Sequence, residues 1–207
     1  MTQPPFDLEQ NKKDLKSDRA EVRTRAVAAL LYQAKQDASI HSAALEIFRG
    51  LLASAADYWT LSNAARGIEL IAGVEEGRRV WSMLLNHPVA KVVADVASTM
   101  KDPFYFPVLL EIFERRRETV VQIAVMHKLS RIKLHEAFSA IVARLAAAEL
   151  RPHAIVALEE LGDARAIPFL EPYLKDKTDA WQEDNHGPMM RVCDLAKGAI
   201  ARLGRGS

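Results

Sequence analysis

Cysteine is almost absent. Cys193 is the only one, which excludes an intrachain disulfide and a zinc site built on cysteines, and fits a reducing compartment. No stretch approaches the roughly 20 apolar residues that a bilayer-spanning helix needs. The opening Met-Thr-Gln-Pro-Pro-Phe-Asp lacks the basic and apolar regions of a signal peptide, so the expectation is a cytoplasmic protein with no membrane partner. An excess of charge is missing too: 28 Lys and Arg against 27 Asp and Glu leave +1. No whole-molecule field therefore draws in nucleic acid or an anionic membrane, and any electrostatic specificity must be local. Catalytic patterns are equally scarce. The chain has no glycine-rich phosphate loop and no serine elbow. Its six histidines, His41, His87, His127, His135, His153 and His186, are scattered without a metal-binding pair. Glu159 and Glu160 are neighbours on a helix and point about 100° apart, unsuited to joint action on one bond. Cys193 falls in register with Met189, Val192, Ala196 and Ile200, as an inert core thiol would. No catalytic, cofactor-binding or metal-ligating residue stands out, and no cofactor is implied.

What is present is helical periodicity. The 207 residues are 49% hydrophobic, enough for one domain with a substantial core. Period-two alternation is missing throughout, so the expectation is all-α. The pattern is clearest over residues 152–203. Apolar spacing there marks one helix to Leu161, a stop and a cap at Gly162 and Asp163, a second helix to about 174, a polar loop, and a last helix over 188–203. Upstream, helices are expected over about 18–35, 42–53, 57–71, 75–85, 88–100, 103–116, 118–130 and 134–148. Ser17 or Asp18 would cap the first of these, and Pro88 would open the fifth. Residues 1–17 read as a polar arm or partial first helix, 18–204 as a single domain, and 205–207 as a tail.

Amphipathic pairs of this kind bury their apolar faces only by stacking. An internal repeat supports the stacking: Asp102-Pro-Phe-Tyr-Phe-Pro107-Val-Leu109 and Asp163-Ala-Arg-Ala-Ile-Pro168-Phe-Leu170 share Asp, Pro and Leu at identical offsets, 61 positions apart. Half of that interval falls near Lys133, where another helix begins, and Gly73 lies one step before Asp102. Residues 157–174 and, more weakly, 102–110 and 19–31 resemble HEAT-like helical repeats of the short kind in bacterial proteins related to phycobilisome lyases. The resemblance implies a right-handed α-solenoid of about five antiparallel helix pairs plus a terminal helix, used mainly to bind proteins; it does not imply an activity.

Two stretches are candidate contact sites. The loop 175–187 is long for an economical stack and carries Trp181, Glu183, Asp184 and His186; its plain alternative is a solvated loop with Trp181 folded back on the last repeat. The second candidate is the basic set Arg115, Arg116, Arg117, Lys128, Arg131 and Lys133. Against Glu111, Glu114 and Glu118 it leaves a local excess of +3. The set could meet an acidic protein surface or phosphates, or Arg115 to Arg117 could simply complement a helix C-terminus. The functional expectation is a non-catalytic protein-binding module of adaptor, carrier or toxin-immunity type. Its concave face, built from the second helix of each pair, and the 175–187 loop would hold the partner. The alternative is a DNA-binding repeat protein of the alkylpurine DNA glycosylase type, with Asp57, Tyr58, Trp59 and Trp81 as its nearest carboxylate and aromatics.

Overall fold

A computed structural model describes residues 6–54, 57–182 and 189–205. Among these, twelve α-helices carry the fold: α1 Leu8–Leu15, α2 Ala20–Gln36, α3 His41–Ser54, α4 Tyr58–Ala72, α5 Val74–Leu85, α6 Ala90–Thr99, α7 Phe106–Arg115, α8 Thr119–Arg131, α9 Phe138–Arg144, α10 Arg151–Leu161, α11 Ile167–Leu170 and α12 Val192–Leu203. The remaining regular structure is a set of short 3-10 turns and one antiparallel ribbon, β1 Asp179–Gln182 with β2 Met189–Arg191.

Four helix starts share one local build. Asp37, Asp102 and Asp163 each lie in extended backbone, and a side-chain oxygen accepts the amide proton two residues on, from Ser39, Phe104 and Arg165 at 2.8, 2.9 and 3.0 Å. Each carboxylate satisfies a donor that the helix start leaves open. A three-residue 3-10 turn follows (Ala38–Ile40, Pro103–Tyr105, Ala164–Ala166), and the α-helix begins at the next residue. In the fourth copy Leu134 replaces the aspartate, and His135–Ala137 forms the turn without a side-chain cap. Gly73 opens α5 directly, at φ 91°. Helix starts at 73, 102, 134 and 163 thus keep the spacing near 30 read from the sequence. Pro107 and Pro168 fall in the first turn of α7 and α11, where a missing N–H costs nothing.

The chain divides into two compact units, Met1–Val96 and Ala97–Ser207. In the first, α2 packs on α1 and α4, and α4 also meets α3 and α5. Leu30, Phe48, Leu61 and Ile68 are at most 1% exposed and form its centre. Phe48 lies so close to the α4 backbone that only a residue without a β-carbon fits opposite. A β-carbon built on Gly67 would lie 2.1 Å from the ring. The polar opening of the chain includes α1, whose Leu15 is buried and whose Asn11 donates from Nδ2 to the carbonyl of Ala26 on α2 at 2.8 Å.

In the second unit, α7 packs on α8, α8 on α10, and α10 on both α9 and α12. Leu109, Ile112, Phe113, Met126, Leu129 and Ile141 are fully buried between them. Gly162, at φ 77°, ends α10 in the left-handed region, and its N–H reaches the carbonyls of Leu158 and Glu159.

Three local expectations are corrected. Neither Ser17 nor Asp18 caps α2 through its side chain; Arg19 holds that position, and Arg23 donates to the carbonyls of both. Pro88 precedes α6 instead of opening it. The last helix begins at Val192, because Met189–Arg191 pairs with Asp179–Gln182 and the amides of Val192 and Cys193 donate to the carbonyls of Thr178 and Asp176 at 3.0 and 2.8 Å. Cys193 is buried, as its register predicts.

Candidate partner-binding surface

The basic set read from the sequence does not form one patch. Arg115 to Arg117 precede the first turn of α8, whereas Lys128, Arg131 and Lys133 lie at or beyond its last turn. At 1.5 Å per residue the two groups stand roughly 18 Å apart along the helix. Arg115 faces Glu111 at 3.9 Å. Arg116 is largely covered and holds Glu118 through Nε and Nη2 at 3.0 and 2.6 Å. The Arg116 guanidinium, with backbone amides behind it, holds the Glu118 carboxyl at about 2. Arg117 is exposed, and its amide also donates to Glu118. Arg115 lies in the last turn of α7, where a cation complements the helix end, and the amide of Arg116 donates to the carbonyl of Ile112; two further carbonyls there take side-chain donors from other elements. The carbonyl of Phe113 accepts from Gln122 Nε2 and from Arg144 Nη2, each at 2.6 Å, and the carbonyl of Arg116 accepts a second bond from Gln122. Arg144 also lies 4.5 Å over the Phe113 ring, and burial pulls its guanidinium below the ordinary value.

At the other end of α8 the cations are drawn into the protein's own bonding. Lys133 sits at φ 58°, a conformation that side chains avoid. Its amide donates to Ser130 and the next amide, Leu134, to Leu129, closing α8 as a glycine would. The conformation aims Nζ at the carbonyl of Glu160 in the last turn of α10. A lysine thus closes one helix and neutralises the C-terminus of the next. Arg131 reaches Glu160 Oε1 at 3.5 Å. Lys128 has its ammonium pushed down by burial first, then by Lys101 and Arg131.

Across the exposed side of α8, α10 and α12 runs a ladder of side-chain bonds that sequence reasoning missed. Glu160 Oε2 faces His127 Nδ1 at 3.3 Å, and His127 Nε2 faces His153 Nδ1 at 3.2 Å, with the two rings edge to face at 85°. The preceding residue of α10, Glu159, points about 100° away and takes Arg202 of α12 at 2.6 Å. Thus the histidines read as scattered include a touching pair. Their only sequence-level signal was that His153 and Glu160, seven apart, share one face of a helix. The ladder balances two arginines against two carboxylates. With the part-exposed Val120, Ala124 and Val156, which share helix faces with His127 and His153 by their spacing, it forms a mixed surface on the second helices of three successive pairs.

Of the loop residues, Glu183, Asp184 and His186 lie outside the described residues. Trp181 is on β1, and its backbone pairs with Met190. Before the ribbon, Asp176 accepts from Arg151 Nη1 at 3.1 Å and from the amide of Thr178 at 2.9 Å, tying residues 176–178 to α10. In the first unit, Asp57 caps α4 through Thr60, Trp81 is buried and donates from Nε1 to Glu69 at 3.1 Å, and Trp59 is 63% exposed. Asp57 and Trp81 are therefore taken up by a helix cap and the core. Among the described residues no three His, Cys, Asp or Glu side chains gather as a metal-ligand set, and no helix is long and apolar enough to cross a membrane.

The architecture is that of an all-α protein built from recurring helix pairs. Among solved structures it is similar to the X-ray structure of YibA of Escherichia coli, a HEAT-like repeat protein. The match has a TM-score of 0.56 at 22% identity and covers 94% of this chain and 66% of that one. The chain thus spans just under two thirds of YibA, and the likeness is one of fold. No family profile matches the chain, and no curated protein matches it in sequence.

Proposed function

We propose that the chain is a non-catalytic helical-repeat module that binds another protein, as an adaptor, a carrier or a toxin-immunity protein. Its helix pairs would stack as a right-handed solenoid, with α8, α10 and α12 on the concave side. The observation that carries the reading is the mixed, laddered surface of those three helices. Its arginines are already matched by carboxylates and small apolar residues share their helix faces, which suits the patchwork of a protein interface better than a phosphate backbone. Loop 175–187, anchored through Asp176, would form one edge of that surface. The reading is tested by measuring the affinity of a co-purifying protein for the wild type and for Ala124→Glu/Val156→Glu. A loss of tenfold or more is expected in the double variant, and equal affinity would refute this surface as the interface.

A second reading keeps one specific observation on its side. Lys128 is flanked by the cations Lys101 and Arg131, of which Arg131 reaches Glu160, and this local excess suits an acidic protein segment or a DNA phosphate. Salt separates the two: DNA binding through several phosphates falls steeply and log-linearly with salt. The protein reading predicts no duplex binding by fluorescence anisotropy even at low salt.

A further inference from the structure

The touching histidines have a geometry that a hydrogen bond alone does not exhaust. We infer that His127 Nε2 and His153 Nδ1 form an open two-histidine site for an imidazole-binding divalent transition ion of the zinc class. The inference is independent of what protein the surface binds.

The spacing comes first. Zinc–nitrogen bonds are about 2.0–2.1 Å, and the two nitrogens are 3.2 Å apart. An ion equidistant from both then subtends about 103°, close to the tetrahedral angle. It lies about 1.3 Å off the line joining the nitrogens, and turning the two part-exposed rings toward solvent brings their lone pairs onto it.

The orientation comes second. Glu160 Oε2 lies 3.3 Å from His127 Nδ1; with that ring's proton on Nδ1, Nε2 accepts from His153 Nδ1 at 3.2 Å, and an ion bound here displaces the shared proton, which moves to His153 Nε2 or to solvent. A carboxylate behind a ligating histidine is the usual device for fixing tautomer and ring direction. Glu160 is itself held: Arg131 reaches its other oxygen, and Lys133 binds its backbone carbonyl. The anchors sit on two packed helices, His127 on α8 and His153 with Glu160 on α10, so the pair is set by the helix contact.

The coordination number comes third. Among the described residues two ligands are supplied, and the remaining positions fall to water or to a donor group on a partner. Arg131 and Lys128 nearby weaken the attraction, which makes this a moderate site.

Isothermal titration of the full chain with ZnCl2 in a non-coordinating buffer, above the histidine range, is the test. One ion per chain is expected, with at least tenfold weaker binding in His127→Ala and in His153→Ala and about tenfold weaker binding in Glu160→Gln. His87→Ala, in the first unit, should bind as the wild type does. Circular dichroism confirms folding of each variant. Long-range 1H–15N spectra of the wild type supply a second readout, in which zinc shifts His127 Nε2 and His153 Nδ1. Absence of stoichiometric heat, shifts at other histidines only, or unchanged binding in the His127→Ala/His153→Ala variant would each overturn the inference.

Discussion

A single methyl group at position 67 should test the packing of the first unit, because two opposing effects can be weighed there. Gly67 lies within α4, and an alanine would improve helix propensity by about 1 kcal/mol. Its β-carbon, however, would lie 2.1, 2.4 and 2.5 Å from three carbons of the Phe48 ring. Phe48 is 0% exposed, so the ring cannot swing aside into solvent. Overpacking of this kind costs roughly 1–3 kcal/mol and sometimes more, and the closeness of the clash places it at the upper end. The net expectation is a loss of about 2 kcal/mol, or a Tm lower by roughly 4–8 °C for a chain of this length. Gly50 on α3 is the control, since a β-carbon there meets nothing within 4 Å. Gly50→Ala should stabilise by about 0.5–1 kcal/mol through propensity alone. Phe48→Leu in the Gly67→Ala background should recover part of the loss, which identifies the ring as the obstacle. Calorimetric or denaturant unfolding of the four proteins measures these differences. If Gly67→Ala proves as stable as the wild type, the close approach of α3 to α4 described above is wrong.

Three further expectations follow from the second unit. Lys133→Gly should be more stable than Lys133→Met by about 1 kcal/mol, because both lose the bond to the Glu160 carbonyl but only glycine relieves the φ of 58°; equal denaturation midpoints would contradict the left-handed cap. Asp163, bonded by Arg165 and capping its 3-10 turn, has its carboxyl held at about 2, below the ordinary 3.8. Its folded-state value is the lower one, so its stabilisation is complete above about pH 4 and disappears as pH falls through about 2. Asp163→Asn should therefore flatten that part of the acid-unfolding curve, measured by circular dichroism, and an NMR titration of Asp163 with an ordinary midpoint would oppose the assignment. Asp176→Ala removes the acceptor of Arg151 and of Thr178. It should cost about 1.5–3 kcal/mol and raise amide exchange at Val192 and Cys193; unchanged exchange there would show that the ribbon does not depend on this carboxylate.

Most of the helical architecture was legible because it rests on local rules. Asp102 and Asp163 announce helix starts by their own side-chain chemistry, Gly162 by its freedom at positive φ, and long amphipathic runs by period. The ribbon was not legible for the same reason: strands of four and three residues are too short to show alternation, and Met189, Val192 and Ala196 share a helical spacing that hides the change at Arg191. The amides of Val192 and Cys193 donate to Thr178 and Asp176, and those long-range bonds decide the matter. The basic set misled because nearness in sequence was taken for nearness in space, although α8 separates Arg117 from Lys128. His127 and His153 are 26 positions apart, and only the packing of α8 on α10 brings them together. Lys133 shows a further limit: a lysine at a left-handed cap makes sense only once the carbonyl it reaches on the next helix is known.

The most direct test of the protein-binding account is site-specific photo-cross-linking in native lysate. Benzoylphenylalanine replaces Ala124, on the laddered surface of α8, or Ser139, an exposed position on α9. The account predicts one discrete protein adduct from position 124 and none from 139. Adducts of equal yield from both positions, nucleic acid in place of protein, or no adduct at 124 would contradict it.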